Sequence, residues 1–259
     1  AEGLGATVVP LWLDEQHDWQ PVPGAAADVI TAGTRLVVVT NPNNPTGAVL
    51  SNAARREIIE AAEAVGAWIL ADEVYAGAEL AGEVTLTLWG DTPRVIATAS
   101  LSKAYGLPGL RLGWLVAPAE MREELWARKD YTSISPAVLS DCLAQAALEP
   151  GNRSRILNRC RRIVQTNLGI IEAWAATAPG MRYRKPDAGA ICLFTYDAPI
   201  RSLDLAERLR VEHSVLIVPG THFGMEGTFR IGFGYEADKL PVGLANVSEL
   251  LGAIEPATA

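Results

Sequence analysis

The sequence predicts an α/β protein: a mainly parallel sheet sandwiched by helices, followed by a smaller C-terminal α+β domain. Three observations carry this. Short apolar, β-branched runs alternate with stretches of helical periodicity, the pattern of parallel strands joined by helical crossovers. Two of the runs end in Asn, Pro or Asp, at the strand end where open α/β sheets bind ligands. A Glu149-Pro-Gly-Asn152 break precedes a long helical stretch, which divides residues 1–150 from residues 151–259.

Taken in order, Ala6–Leu13 and Arg35–Thr40 read as strands. Ser51 is placed to cap a helix that runs to Val65 and ends at Gly66, with Ile58, Ile59, Ala62 and Val65 at helical spacing. Trp68–Ala71 and Val95–Ala99 are short buried strands, and Gly113–Val116 is another. Helices are expected at Ala119–Lys129 and Pro136–Leu148. Beyond the break, Arg153–Ala178 is basic at its start and sets Ile156, Ile163, Ile170 and Trp174 at helical intervals. A helix of that length commonly bridges two lobes. Strand Ile191–Tyr196, helix Leu203–His213, strands Val215–Val218 and Thr228–Gly232, and a helix from about Asp238 complete the chain.

Composition bounds the function without choosing it. The 259 residues are 49% hydrophobic, enough for one or two sizeable cores. A net charge of −8 argues against nucleic acid or an anionic membrane as the main partner. No apolar stretch approaches the roughly 20 residues that span a bilayer. Cys142, Cys160 and Cys192 are odd in number and widely spaced, and read as reduced thiols of a cytoplasmic protein. His17, His213 and His222 are too scattered to suggest a metal site.

Four motifs carry chemistry. In Ser100-Leu-Ser-Lys-Ala-Tyr-Gly-Leu-Pro-Gly-Leu-Arg111, an amine at Lys103 lies among the hydroxyls of Ser100 and Ser102 and the guanidinium of Arg111. Hydroxyls and a guanidinium fork suit a phosphate, and a lysine captures carbonyls by forming a Schiff base. An amine beside a phosphate cradle is what pyridoxal 5′-phosphate requires; a solvated loop lysine is the plainer alternative. Asn41-Pro-Asn-Asn-Pro-Thr-Gly47 follows a β-branched run. A cis Asn44-Pro45 bond there would aim the Asn44 amide inward, although Asn and Pro are also ordinary turn residues. Asp72-Glu-Val-Tyr75 places an acid at a strand end and a phenol three residues later. An Asp beside a pyridine nitrogen keeps it protonated, whereas a helix N-terminal acid is the alternative. In Phe229-Arg-Ile-Gly-Phe-Gly234, Arg230 sits in an apolar strand and needs a partner, either a substrate carboxylate or a structural acid.

Together, and in this order, the four motifs resemble the class I/II, fold type I family of pyridoxal-phosphate enzymes, the aminotransferases above all. The resemblance covers nearly the whole chain. It implies that Lys103 carries the cofactor and that Asp72 pairs with its pyridine nitrogen. Asn44 and Tyr75 would meet the ring's phenolic oxygen, Ser100, Ser102 and Arg111 the phosphate, and Arg230, with Asn44 as a second contact, the substrate's α-carboxylate. The freed Lys103 amine would move a proton between the amino acid's α-carbon and the cofactor, turning an amino acid and a keto acid into one another. A homodimer is implied too, because the family builds its sites at subunit interfaces. Family members carry a further stretch ahead of the point where this chain begins, with the first strands and an aromatic residue that stacks on the ring. Ala1–Ala259 is therefore expected to be part of a longer polypeptide. Tyr131–Leu139 resembles a subgroup that includes capreomycidine synthase, which cyclises a hydroxylated arginine on the same cofactor. Tyr131–Ser135 and Thr221–Gly224 read as surface loops that could instead face the substrate. Some transcription regulators use an aminotransferase-like domain as a sensor, a reading of another class.

Overall fold

A computed structural model describes residues 1–234 and 237–254. The chain enters through irregular backbone. Of the strand expected at Ala6–Leu13, only the last residue takes part in one: Leu13–Asp14 (β1) pairs with Gln20–Pro21 (β2). Val8 and Val9 are 53% and 60% exposed. Their β-branched side chains favour a strand only where a second strand accepts the ladder, and none lies beside them among the described residues. Ala25–Val29 (α1) then packs on the helix that follows the next strand.

The main sheet is built from Leu36–Thr40 (β3), Trp68–Asp72 (β4), Val95–Ser100 (β5) and Gly113–Val116 (β6), side by side in that order. β3, β4 and β5 are parallel, and β6 returns antiparallel along β5. Their register aligns Thr40, Asp72 and Thr98 across the carboxyl end, so three polar side chains share one edge of an apolar sheet. The crossover helix Asn52–Val65 (α2) is fixed at both ends as the sequence predicts. The Ser51 hydroxyl accepts from the Ala54 amide at 3.1 Å, and Gly66 turns left-handed at φ 70°. Ile58, Ile59 and Ala62 pack against Ile69, Ala71, Val95 and Ala97.

Two helices, Arg122–Asp130 (α3) and Val138–Leu148 (α4), lead to the long helix Pro150–Ala175 (α5). One extended residue, Glu149, separates α4 from α5, and Pro150 occupies the first helical turn, where its missing N–H costs nothing. The break is thus a sharp turn between helices, and α5 starts three residues before Arg153. Its buried stripe also lies one position from the expected one. Leu157, Val164, Leu168 and Ile171 are buried, while Ile156, Ile163, Ile170 and Trp174 are half-buried.

α5 joins two cores. Leu157 packs with Leu101, Ala104 and Tyr105, whereas Val164, Leu168 and Ile171 enter a second core around Phe194 and Phe229. That core belongs to an antiparallel sheet of Met181–Tyr183 (β7), Ile191–Tyr196 (β8), Val218–Pro219 (β9) and Thr228–Gly232 (β10), ordered β7-β8-β10-β9. Ser202–His213 (α6) and Leu240–Gly252 (α7) contribute Leu205, Leu209, Leu244 and Val247 to it. The strand expected at Val215–Val218 contracts to its last residue and Pro219. Ser214 ends α6 in a left-handed conformation, and the Val215 amide bonds back to the Leu209 carbonyl, so that segment serves as a helix stop.

The two sheets are locked at one loop. The Asp187 and Ala188 amides donate to the Gly47 carbonyl at 2.9 and 3.0 Å, and the Asp187 carboxylate accepts from the Val49 amide at 3.0 Å. A Cβ on Gly47 would lie 2.5 Å from Pro186 and its φ is 71°, so only glycine permits this approach. No helix among the described residues is long and apolar enough to cross a membrane.

Candidate active site

Each of the four motifs leaves the carboxyl end of a strand or faces it. Asp72 closes β4, half-buried, and its carboxylate accepts from the Val74 amide at 3.3 Å, with the Thr98 hydroxyl at 3.5 Å. No lysine or arginine among the described residues pairs with it, so it retains capacity for a cationic partner. The Asn41–Gly47 loop follows β3, with cis bonds at Asn41-Pro42 and Asn44-Pro45. Asn41 is buried and structural, its side-chain oxygen accepting from the Leu50 amide at 2.9 Å. Asn44 points the other way. Its amide oxygen accepts from Arg230 Nη1 at 2.6 Å, across 186 residues of sequence.

The lysine loop follows β5. Leu101 and Ala104 are buried on either side of Lys103, and the Lys103 carbonyl accepts from the Gly106 amide at 3.0 Å. The backbone is thereby pinned while the amine is left exposed, without an acid partner among the described residues. Its Nζ lies 5.8 Å from the centre of the Tyr75 ring. The Ser100 hydroxyl accepts from the Ser102 amide at 3.2 Å. Arg111 adopts φ 50°, an uncommon conformation for a side-chain-bearing residue, and so turns its guanidinium back on the loop. There it donates to the Pro108 carbonyl at 2.8 Å, with the Ser102 hydroxyl at 3.5 Å. Two hydroxyls and a guanidinium with open donors therefore share one turn.

Tyr75, Ser102, Lys103 and Arg230 line a single cleft of about 970 Å³. Asn44 joins it through Arg230, and Ser100 and Arg111 join it through Ser102. Burial pushes the Tyr75 phenol above its usual range; Arg230 draws it down and Asp72 up, so it stays protonated near neutrality and can donate. Arg230 has no acidic partner among the described residues. Besides Asn44 it meets the Phe223 ring, 5.5 Å from its centre, and its buried Nε has no acceptor. The loop expected at Thr221–Gly224 thus forms a tight turn that supports Arg230 through Phe223, whereas Tyr131 is fully out in solvent.

The donor set fits pyridoxal 5′-phosphate. It offers an unpaired amine, a carboxylate without a cation, a protonated phenol, and a hydroxyl–guanidinium turn for a phosphate. Several contributors were not legible as site residues. Gly189 lies against the phenol, where a Cβ would sit 3.1 Å from the ring. Thr98 reaches Asp72 only because β4 and β5 are in that register. Arg159, Arg161 and Arg162 of α5 line the cleft, and the basic start of that helix was their sole trace in the sequence.

Comparison with known proteins agrees with the geometry. The family model of class I and II aminotransferases matches residues 1–247. Capreomycidine synthase of Streptomyces vinaceus is 34% identical over 253 residues, covering 97% of this chain and 64% of the relative. Arginine–pyruvate transaminase of Pseudomonas aeruginosa is 28% identical, covering 96% of this chain and 65% of the relative. A crystal structure of a PLP-dependent aminotransferase from Streptococcus suis superposes with a TM-score of 0.91 at 33% identity, covering 99% of this chain and 68% of that one. The chain thus spans about two-thirds of the length of the relatives it matches. On the family match and the shared fold, this chain belongs to the class I and II aminotransferases, the family whose cofactor is pyridoxal 5′-phosphate.

Proposed function

We propose that the chain supplies the cofactor-binding core, residues 1–150, and the smaller lobe, residues 151–259, of an enzyme that exchanges the amino group of an amino acid with a keto acid. The observation that carries this is the pairing of Lys103 and Arg230 in one cleft, an amine and a guanidinium both free of acidic partners. Lys103 would hold the cofactor, Asp72 its ring nitrogen, Asn44 and Tyr75 its ring oxygen, and Ser100, Ser102 and Arg111 its phosphate. The cofactor supplies an electron sink for charge that develops at the substrate's α-carbon. Arg230 would grip the α-carboxylate through its open donors, and Asn44, bonded to it, would couple that grip to the ring. The Lys103 amine would take and return the α-proton, and the protonated Tyr75 would donate throughout.

The cleft also bears on the substrate. Lys103, Arg159, Arg162 and Arg230 line it, Arg161 lines it already paired with Glu79, and no Asp or Glu is among its described lining residues. Like charges brought together cost several kcal/mol, so this supports an acidic amino acid and keto acid over a guanidino one. With pyridoxal phosphate, the full-length protein should convert glutamate or aspartate with a kcat/KM at least about tenfold above that for arginine, one step of about 1.4 kcal/mol. Release of the keto acid and the change in cofactor absorbance read it. The second reading, a lyase or cyclase acting on an arginine-derived substrate, draws on the identity to capreomycidine synthase. Faster consumption of a hydroxylated arginine without release of keto acid would favour it and overturn the first.

We further infer a homodimer in the cytoplasm. Trp126, Tyr131, Ile134, Val138, Leu139 and Leu143 are all exposed along α3, α4 and the turn that joins them, and such a run of exposed apolar side chains suits an interface. All three cysteines are free thiols, which suits a reducing compartment. Light scattering of the full-length protein should give twice the chain mass; a monomer at assay concentration would remove the dimer.

A further inference from the structure

Glu79 is a buried acid that none of the four motifs includes. It is 4% exposed, seven residues beyond Asp72 and four beyond Tyr75. One carboxylate oxygen accepts from the Gly77 and Thr85 amides at 3.0 and 2.9 Å, and the other pairs with Arg161 Nη2 of α5 at 3.1 Å. Burial alone would raise its pKa, but the Thr85 and Gly77 amides more than offset this, so it stays ionised.

Around this carboxylate three segments meet. The turn after β4 is closed by the Ala78 amide on the Tyr75 carbonyl at 3.0 Å. The 187–189 loop bonds along it, with Leu80 N–H to the Asp187 carbonyl and Gly189 N–H to the Ala78 carbonyl, each at 2.9 Å. From α5, Gln165 adds a bond to the Leu80 carbonyl at 2.7 Å. Tyr75 is held between this turn and Gly189. Glu79 is buried and Arg161 half-buried, and pairs that desolvate a charge are often replaceable by apolar residues without loss of stability, so stability alone is a poor reason for one here. What the pair fixes is where the turn stands relative to α5, and hence where the phenol stands.

We propose that Glu79 and Arg161 are positioning residues that hold the Tyr75 phenol against the cofactor ring and thereby set the ionisation of the bound cofactor. This rests on the cofactor reading above. The charged groups around the phenol are Asp72 from β4, Lys103 from the lysine loop and Arg230 from β10; Arg161 is the one paired with Glu79. A neutral donor favours the form of its acceptor that carries more negative charge. A displaced phenol therefore moves the cofactor's titration midpoint upward.

The test is a pH titration of the visible absorbance of full-length, cofactor-loaded protein. Glu79→Gln keeps the shape but loses the charge, and should raise the midpoint by about 0.5–1 unit, well inside the range that neighbouring groups produce. Arg161→Gln should raise it similarly, and the double variant should go no further, because both act through one contact. Ser248→Ala serves as the control. It removes a 2.8 Å bond to Trp174, near the C-terminal end of the same helix, and should lower Tm without moving the midpoint. If Glu79→Gln does not fold, Arg161→Lys, which keeps the charge and loses the fork, carries the test by the same shift. An unmoved midpoint in variants that bind the cofactor overturns the inference alone. Absence of any cofactor band in the wild type overturns the proposed function, and this inference with it.

Discussion

Lys103→Ala should leave a folded protein that no longer captures the cofactor covalently and turns over at most a trace of substrate. The side chain is exposed and makes no ion pair among the described residues, so its removal should change stability by no more than about 0.5 kcal/mol. The loop keeps its shape through Leu101 and Ala104, which are buried whatever stands between them. The chemistry has no such support. Among the described residues the cleft holds no second lysine, and its other cations are arginines, which hold their protons too tightly to serve as bases. The loss of a positioned proton carrier alone removes about 10²–10⁴-fold in rate, and the loss of the nucleophile adds to it. Reduction with borohydride followed by mass measurement reads the result directly. The wild type should gain one cofactor mass on the peptide containing Lys103, and the variant none. A reduced adduct in the variant would assign the amine to another residue.

What could be read from the sequence was local. β3, β4 and β5 are short apolar runs, and each leads into polar residues that the site uses, so strand and function share one signal. Ser51 and Gly66 bound α2 because capping is a property of a few adjacent residues. What failed needed a neighbour. Ala6–Leu13 has the composition of a strand but no strand beside it. The stripe on α5 was misplaced by one position because Ile156, Ile163 and Ile170 are as apolar as Leu157, Val164 and Ile171, and periodicity cannot choose between adjacent stripes. The same limit hides long-range pairs. Asn44 and Arg230 were each legible as site residues, but their bond spans 186 positions. Glu79 gives no signal at all, and its partner Arg161, 82 positions on, shows only as part of the basic start of α5.

Asp72→Asn should separate chemistry from stability in the opposite sense to a structural acid. The carboxylate is half-buried, accepts two weak bonds and has no cation beside it among the described residues, so little in the fold depends on its charge. An asparagine of the same shape still accepts from Val74 and Thr98 and avoids an unpaired, partly desolvated charge. The variant without cofactor should therefore be as stable as the wild type or more so, with an equal or higher denaturant midpoint. Turnover should fall steeply. An opposite charge at contact raises the pKa of a basic nitrogen by about 1–3 units, each worth about 1.36 kcal/mol. Asp72 is the group that would keep a bound ring nitrogen protonated, and without it the electron sink would weaken by a corresponding 10- to 10³-fold in rate. Thr98, whose hydroxyl meets Asp72 at 3.5 Å, gives an internal comparison. Thr98→Val removes that contact but leaves the charge, and should cost far less activity than Asp72→Asn. If Asp72→Asn lost stability and kept its rate, Asp72 would instead be an acid that holds the end of β4 together.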